Sequence, residues 1–171
     1  MRVALAVLAL SLSAPVFAQE GEANVDFQGF QALTGEVSEY RRSRLLGWDE
    51  FASMAKQQGV LLLDARSAEA FAAGHIKGAV NLPFTDFTPE SLAAVVGKSD
   101  RPILIYCNNN FSNDRPPVML KSGRLALNIP TFIHLVGYGY RNVRELDEVV
   151  DFNDPDIPWV ASRARTVAGP E

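Results

Sequence analysis

Only one of the 171 residues is cysteine, and only two are histidine. A single Cys excludes an internal disulfide. Two separated histidines, His75 and His134, with one Cys give no spacing for a metal site. The chain also lacks a basic block. Its 16 Lys and Arg stand against 20 acidic residues, for a net charge of -4. That balance argues against nucleic acid as a partner. A Gly-rich phosphate loop, an internal repeat and a low-complexity tract are all missing, and nothing in the pattern calls for a cofactor. No apolar run reaches the roughly 20 residues that cross a bilayer.

What the chain does have is apolar content of 47%, ample for the core of one domain, and 21% charge. It opens as a secretory leader would. Met1-Arg2 carries positive charge, "VALAVLALSL" (3–12) is apolar, and "SAPVFAQE" offers small residues for cleavage after Ala18. Loss of residues 1–18 removes Arg2 and no acid, so the net charge moves from -4 to -5. No Cys stands near the cut, which argues against a lipid anchor. The expectation is a periplasmic or secreted protein, with no membrane contact once the leader is gone. Export makes a lone thiol unusual, because oxidising compartments favour disulfides. Three fates remain open: a buried inert thiol, a bond to another molecule, or a reactive group.

From Trp48 onward the local signals are strong. "WDEFASMAKQQG" has helical spacing with Gly59 beyond its end. "VLLLD" (60–64) and "PILIYC" (102–107) are apolar runs suited to strands covered on both faces. Between them come a helix capped by Ser67 and stopped at Gly74, a short strand in "GAVNLP", and a helix capped by Thr88, with Pro89 in its first turn and Gly97 at its end. "NIPTFIHLVGYG" reads as a helix opened by Asn128, and "RNVREL" as a last strand. Residues 19–46 are weakly patterned, with "SEYRRSRLLG" an extended arm or a strand entry. The tail "DFNDPDIPWVASRART" reads as irregular. The division expected is a leader (1–18), an N-terminal extension (19–44), a domain (45–160) and a tail (161–171).

Alternating strands and helices imply an α/β domain with a largely parallel sheet flanked by helices. Such sheets bind ligands at the carboxyl ends of their strands. "VLLLD" delivers Asp64 to that edge, and "ILIYC" delivers Cys107. The sequence then continues "NNNFSND". A loop can wrap backbone N–H groups round an anion if some residues take positive φ, and Asn tolerates this best after Gly. The four Asn residues (108, 109, 110 and 113) read as a cradle for a thiolate, against the plainer fact that Asn is common in loops.

The stretch "LLLDARSAEAFAAGHIKGAVNLP" (61–83) resembles the rhodanese homology domain. Asp64-x-Arg66 follows a buried strand. After a short helix come Gly74-His75-Ile76-Lys77-Gly78-Ala79 and Asn81-Leu82-Pro83. "PILIYC" is similar to the family's strand ending in the active-site Cys, and "YGYRNVREL" to its Gly-aromatic-x-Asn-Val-x-x-Leu element. The resemblance spans about residues 45 to 160 and implies a rhodanese-like three-layer fold. It also implies sulfur transfer: a Cys107 thiolate would take sulfane sulfur from a small donor, become a persulfide, and pass the sulfur to a thiol acceptor. Backbone N–H groups of Asn108, Asn109, Asn110, Phe111, Ser112 and Asn113 would hold the charge. Asp64 and Arg66 would pair and orient the site, and His75 would be a structural turn residue.

The departures lie in the loop. Where common sulfurtransferases place a basic residue, a Gly and an Arg, this chain has Asn108, Asn110 and Ser112. Where phosphatases of this fold place His and Arg, it has Tyr106 and Asn113, so phosphatase activity is poorly supported. The next helix is also delayed, and residues 108–127 read as an enlarged active-site loop. Arg115 is the candidate anion contact, while Lys121 and Arg124 read as solvated charges. The main expectation is a persulfide-carrying sulfurtransferase. Its rivals are a non-catalytic module that binds a protein or small molecule, and a thiol protein that forms mixed disulfides.

Overall fold

The computed structural model describes residues 25–161. The expected leader, and the expected tail beyond residue 161, lie outside these residues. Five strands form a parallel sheet in the order β1-β6-β5-β2-β4. They are β1 (Leu45–Leu46), β2 (Leu61–Asp64), β4 (Val80–Asn81), β5 (Ile103–Tyr106) and β6 (Val143–Leu146). A smaller antiparallel pair joins β3 (His75–Ile76) to β7 (Trp159–Val160).

Helices cover the sheet because their ends are well specified. Ser67 caps α3 (Ala68–Ala73) by accepting from the Ala70 N–H. Thr88 and Ser91 form a capping box at the start of α4 (Pro89–Val96), with Pro89 in the first turn. Gly97 ends that helix at φ 79°, a conformation that favours glycine. Helix α2 (Trp48–Ala55) and helix α5 (Asn128–Gly137) complete the expected set.

Sheet residues alternate between two apolar layers, as a period of two requires. Leu61, Leu63, Ile103, Ile105 and Val143 face α4, α5 and a further helix, α1 (Phe27–Arg42). Leu46, Leu62, Leu104, Tyr106 and Leu146 face Phe51 of α2, together with Phe111 and Val118 of the long loop. The result is the three-layer α/β arrangement that the strand and helix pattern implies.

Two expectations are corrected. Much of the weakly patterned N-terminal stretch is helix, capped by Asp26 through the Gly29 N–H. Its Leu33, Val37 and Tyr40 pack on the same core as α5. Arg41 of this helix also grips buried Glu145 of β6 at 2.6 and 2.5 Å. The tail stretch is not wholly irregular either, since Trp159 pairs with Ile76. Gly74 makes room for this: a Cβ there would lie 2.5 Å from the Trp159 ring nitrogen.

Candidate active site

Strands β2 and β5 are neighbours in register, with Asp64 opposite Tyr106. Cys107 therefore leaves the sheet beside Asp64, as the strand ends predict. Asp64 is fully buried and Arg66 is 3% exposed. Arg66 donates to the carboxylate through Nε (3.0 Å) and Nη2 (2.6 Å), and through Nη2 to the Gly74 carbonyl (2.7 Å). The Tyr106 hydroxyl donates to the same carboxylate at 2.7 Å and accepts the Ile76 N–H. This closed cluster fixes the strand end and ties it to β3. His75 lies in β3, stacked on Phe71 with ring centroids 3.7 Å apart, its Nδ1 2.7 Å from the Phe71 carbonyl. It is a packed structural residue and does not reach the thiol cavity.

Cys107 is 1% exposed. The backbone N–H groups of Asn109, Leu127 and Asn128 lie close enough to the thiol to favour its charged form. The Asn110 N–H closes the short turn Asn108–Asn110 on the Cys107 carbonyl at 3.1 Å and also faces the side chain of Cys107. Loop and helix thus share the cradle, since Leu127 and Asn128 open α5. A helix start carries free N–H groups and partial positive charge, both favourable to an anion. Burial acts against them. It pushes the thiol above its ordinary range, the N–H groups pull it down, the charge of Glu145 raises it, and the net direction is up.

Cys107 helps line a cavity of about 160 Å³, together with Arg66, Ser67, Ala70, Asn108, Asn109, Lys121 and Leu127. That is room for a few heavy atoms. Among the described residues no group of His, Cys, Asp or Glu could hold a metal. No described helix is long and apolar enough to cross a membrane.

The asparagines do not serve the loop in the way expected. Among the described residues the one non-glycine at positive φ is Asp114, not an Asn. The Asn side chains act as clamps instead. Asn108 donates to the Met119 carbonyl at 3.0 Å, and Asn109 to that of Lys121 at 2.6 Å. Asn110 is buried. It accepts the Cys107 N–H at 2.8 Å and donates to the Leu146 carbonyl at 2.7 Å. Asn113 donates to Asp151 at 2.7 Å and lies outside the cradle. Phe111 and Ser112 also fall outside. The N–H of Phe111 donates to the Asn108 carbonyl and that of Ser112 to the Val150 carbonyl, while the Phe111 ring is buried in the core.

Arg115 is likewise turned away from the sulfur. It donates to Asn153 at 2.9 Å, and its guanidinium sits 5.1 Å from the Phe152 ring centre. Lys121, read from sequence as a surface charge, is the loop cation that lines the cavity. The α5 start was legible as a helix start, but no sequence signal says which strand end it faces.

The sequence profile of the rhodanese-like domain matches residues 47–148, more than half of the chain. The chain belongs to the rhodanese-like domain family. Similar solved structures are distant. A rhodanese-like domain from Anabaena is 19% identical, with TM-score 0.49, and the match covers 75% of this chain and 87% of that one. A thiosulfate sulfurtransferase from Pseudomonas aeruginosa is 21% identical, with TM-score 0.48, covering 68% of this chain and 20% of that one. A rhodanese with anions from E. coli is 20% identical, with TM-score 0.39, covering 60% and 98%. Among curated proteins, none matches the chain. In this rhodanese-like domain Cys107 follows the end of β5, and Asn side chains clamp the loop after it.

Proposed function

We propose that this rhodanese-like protein is an exported sulfur carrier in which Cys107 accepts sulfane sulfur and holds it as a persulfide. The observation that carries the reading is the cradle. The backbone N–H groups of Asn109, Asn110, Leu127 and Asn128 lie around Cys107, and Cys107 lines a cavity sized for a small donor. N–H groups fixed in a dry site stabilise charge that develops on the reacting atom.

With thiosulfate as donor, the Cys107 thiolate attacks the outer sulfur. The new S–S bond forms as the sulfur–sulfur bond of thiosulfate breaks, and sulfite leaves with the bonding pair. The persulfide anion keeps the charge that the thiolate brought, so the cradle serves both states. A thiol acceptor then removes the outer sulfur and frees the thiolate.

The test is intact-mass measurement of protein lacking residues 1–18 after incubation with thiosulfate and other sulfane donors. The expected result is a gain of one sulfur, absent in Cys107→Ser. No adduct with any donor would sink the reading.

A binding module is the competing function. The observation in its favour is the apolar surface of the long loop, where Met119, Leu120 and Leu125 are 54%, 43% and 72% exposed. A stable adduct that passes no sulfur to cyanide or thiols would favour binding or sensing.

A further inference from the structure

Two cations line the Cys107 cavity, and their situations differ. Arg66 is fully engaged by Asp64 and the Gly74 carbonyl. Its remaining nitrogen, Nη1, points to Asn108 Oδ1 at 3.4 Å and the Pro117 carbonyl at 3.3 Å. Lys121 forms no salt bridge among the described residues.

Its position is also not that of a loose loop residue. The Asn109 side chain donates to the Lys121 carbonyl at 2.6 Å and accepts the Lys121 N–H at 3.2 Å. One amide side chain thus makes both bonds that a strand partner would make. Just before it, Leu120 N–H donates to Asp114 at 3.0 Å, and the Met119 carbonyl accepts from Asn108 at 3.0 Å. Three consecutive residues of an exposed segment are pinned where the segment passes the cavity. Ordering them costs backbone entropy, which the clamps offset. Asn109 also holds its own N–H close to the thiol. One residue therefore sets the cradle and the lysine relative to each other.

We infer that Lys121 recognises the anionic end of the sulfur donor, and that Asn109 is its positioning residue. The site then selects anionic sulfane donors over neutral ones of similar size. The charge comes from the inserted segment, in place of an Arg within the turn after the Cys. This inference rests on the sulfur-carrier reading for the word donor, but its first test does not.

Iodoacetate and iodoacetamide react with a thiolate at the same kind of carbon and differ in charge. Their rates at Cys107, each divided by the rate with free cysteine, give a charge-selectivity ratio. Lys121→Gln should lower that ratio about tenfold, the factor that 1.4 kcal/mol represents. Lys121→Arg should keep most of it, and Arg115→Gln should leave it unchanged. Asn109→Ala should lower it as Lys121→Gln does, and the double variant should fall no further. An unchanged ratio in Lys121→Gln overturns the inference. A lowered ratio there with an unchanged one in Asn109→Ala overturns the positioning role.

In sulfur uptake, Lys121→Gln should raise KM for thiosulfate about tenfold. It should leave unaltered the reaction with a neutral organic trisulfide, in which the thiolate forms a mixed disulfide as a hydropersulfide anion leaves. If the unaltered protein takes sulfur from no donor, the carrier reading fails, and the alkylation ratio still decides the role of Lys121.

Discussion

Adjacent strands β2 and β5 end side by side in two groups that can carry negative charge, and the protein treats them differently. Asp64 has a dedicated cation, a tyrosine hydroxyl and full burial. Cys107 has burial and backbone N–H groups, with no cation bonded to it among the described residues. A buried carboxylate charge must be compensated within the fold or it would cost several kcal/mol. The thiol is neutral until it reacts, so fixed dipoles suffice and a lysine on the cavity wall can be left for the ligand. The comparison separates the frame of the site from its chemistry.

Breaking the frame should have the largest effect. Asp64→Asn keeps the size and an acceptor for Tyr106 but leaves the Arg66 charge uncompensated. A loss of about 3–5 kcal/mol in urea unfolding is expected. Replacing both partners with apolar residues should recover part of it, because no unpaired charge remains. A loss near zero for Asp64→Asn would mean that the pair is not the frame.

A smaller loss is expected on the thiol side. Asn110→Ala would leave the Cys107 N–H and the Leu146 and Glu148 carbonyls without the partner they share. The expected cost is about 2–3 kcal/mol, from buried groups left unsatisfied. Cys107 alkylation should also change, since the turn that aims the Asn110 N–H at the sulfur loses its tie to β6. Lost stability with unchanged alkylation would show that the cradle is held by α5 alone.

These two residues also show what a sequence reveals. The frame was legible because its signals are local: apolar runs, Ser67, Thr88, Pro89, and a charged pair just past a strand. Helix α1 was not, because its apolar face is thin (Leu33, Val37 and Tyr40 among charges) and most of its stability comes from packing on α5. Strand β7 pairs two residues across a long separation, which no local pattern encodes. Cys107, Asp64 and Arg66 were legible as strand ends. The work of the asparagines was not. An amide side chain suits a left-handed turn and a backbone clamp equally well, and only the chain path separates Lys121 at the cavity from Arg115 at Asn153.

The smallest expected effect tests which force wins at the sulfur. Burial raises the Cys107 thiol above its ordinary value despite the N–H groups. A raised acid is protonated in both states at neutral pH, and its contribution to stability is then fully present. Above about pH 8.5 the unfolded thiol ionises first. The unfolded state gains, and stability falls until the folded thiol also ionises. Tyr106 adds a loss of the same sign from about pH 10, because burial and then the Asp64 charge raise it too. Urea midpoints from about pH 7 to about pH 10.5 should therefore fall more steeply for the native protein than for Cys107→Ala. The excess slope should not exceed about 1.4 kcal/mol per pH unit, the value for one proton. Parallel curves would mean that the four N–H groups balance burial, and that the thiolate forms in the folded protein as readily as in the unfolded chain.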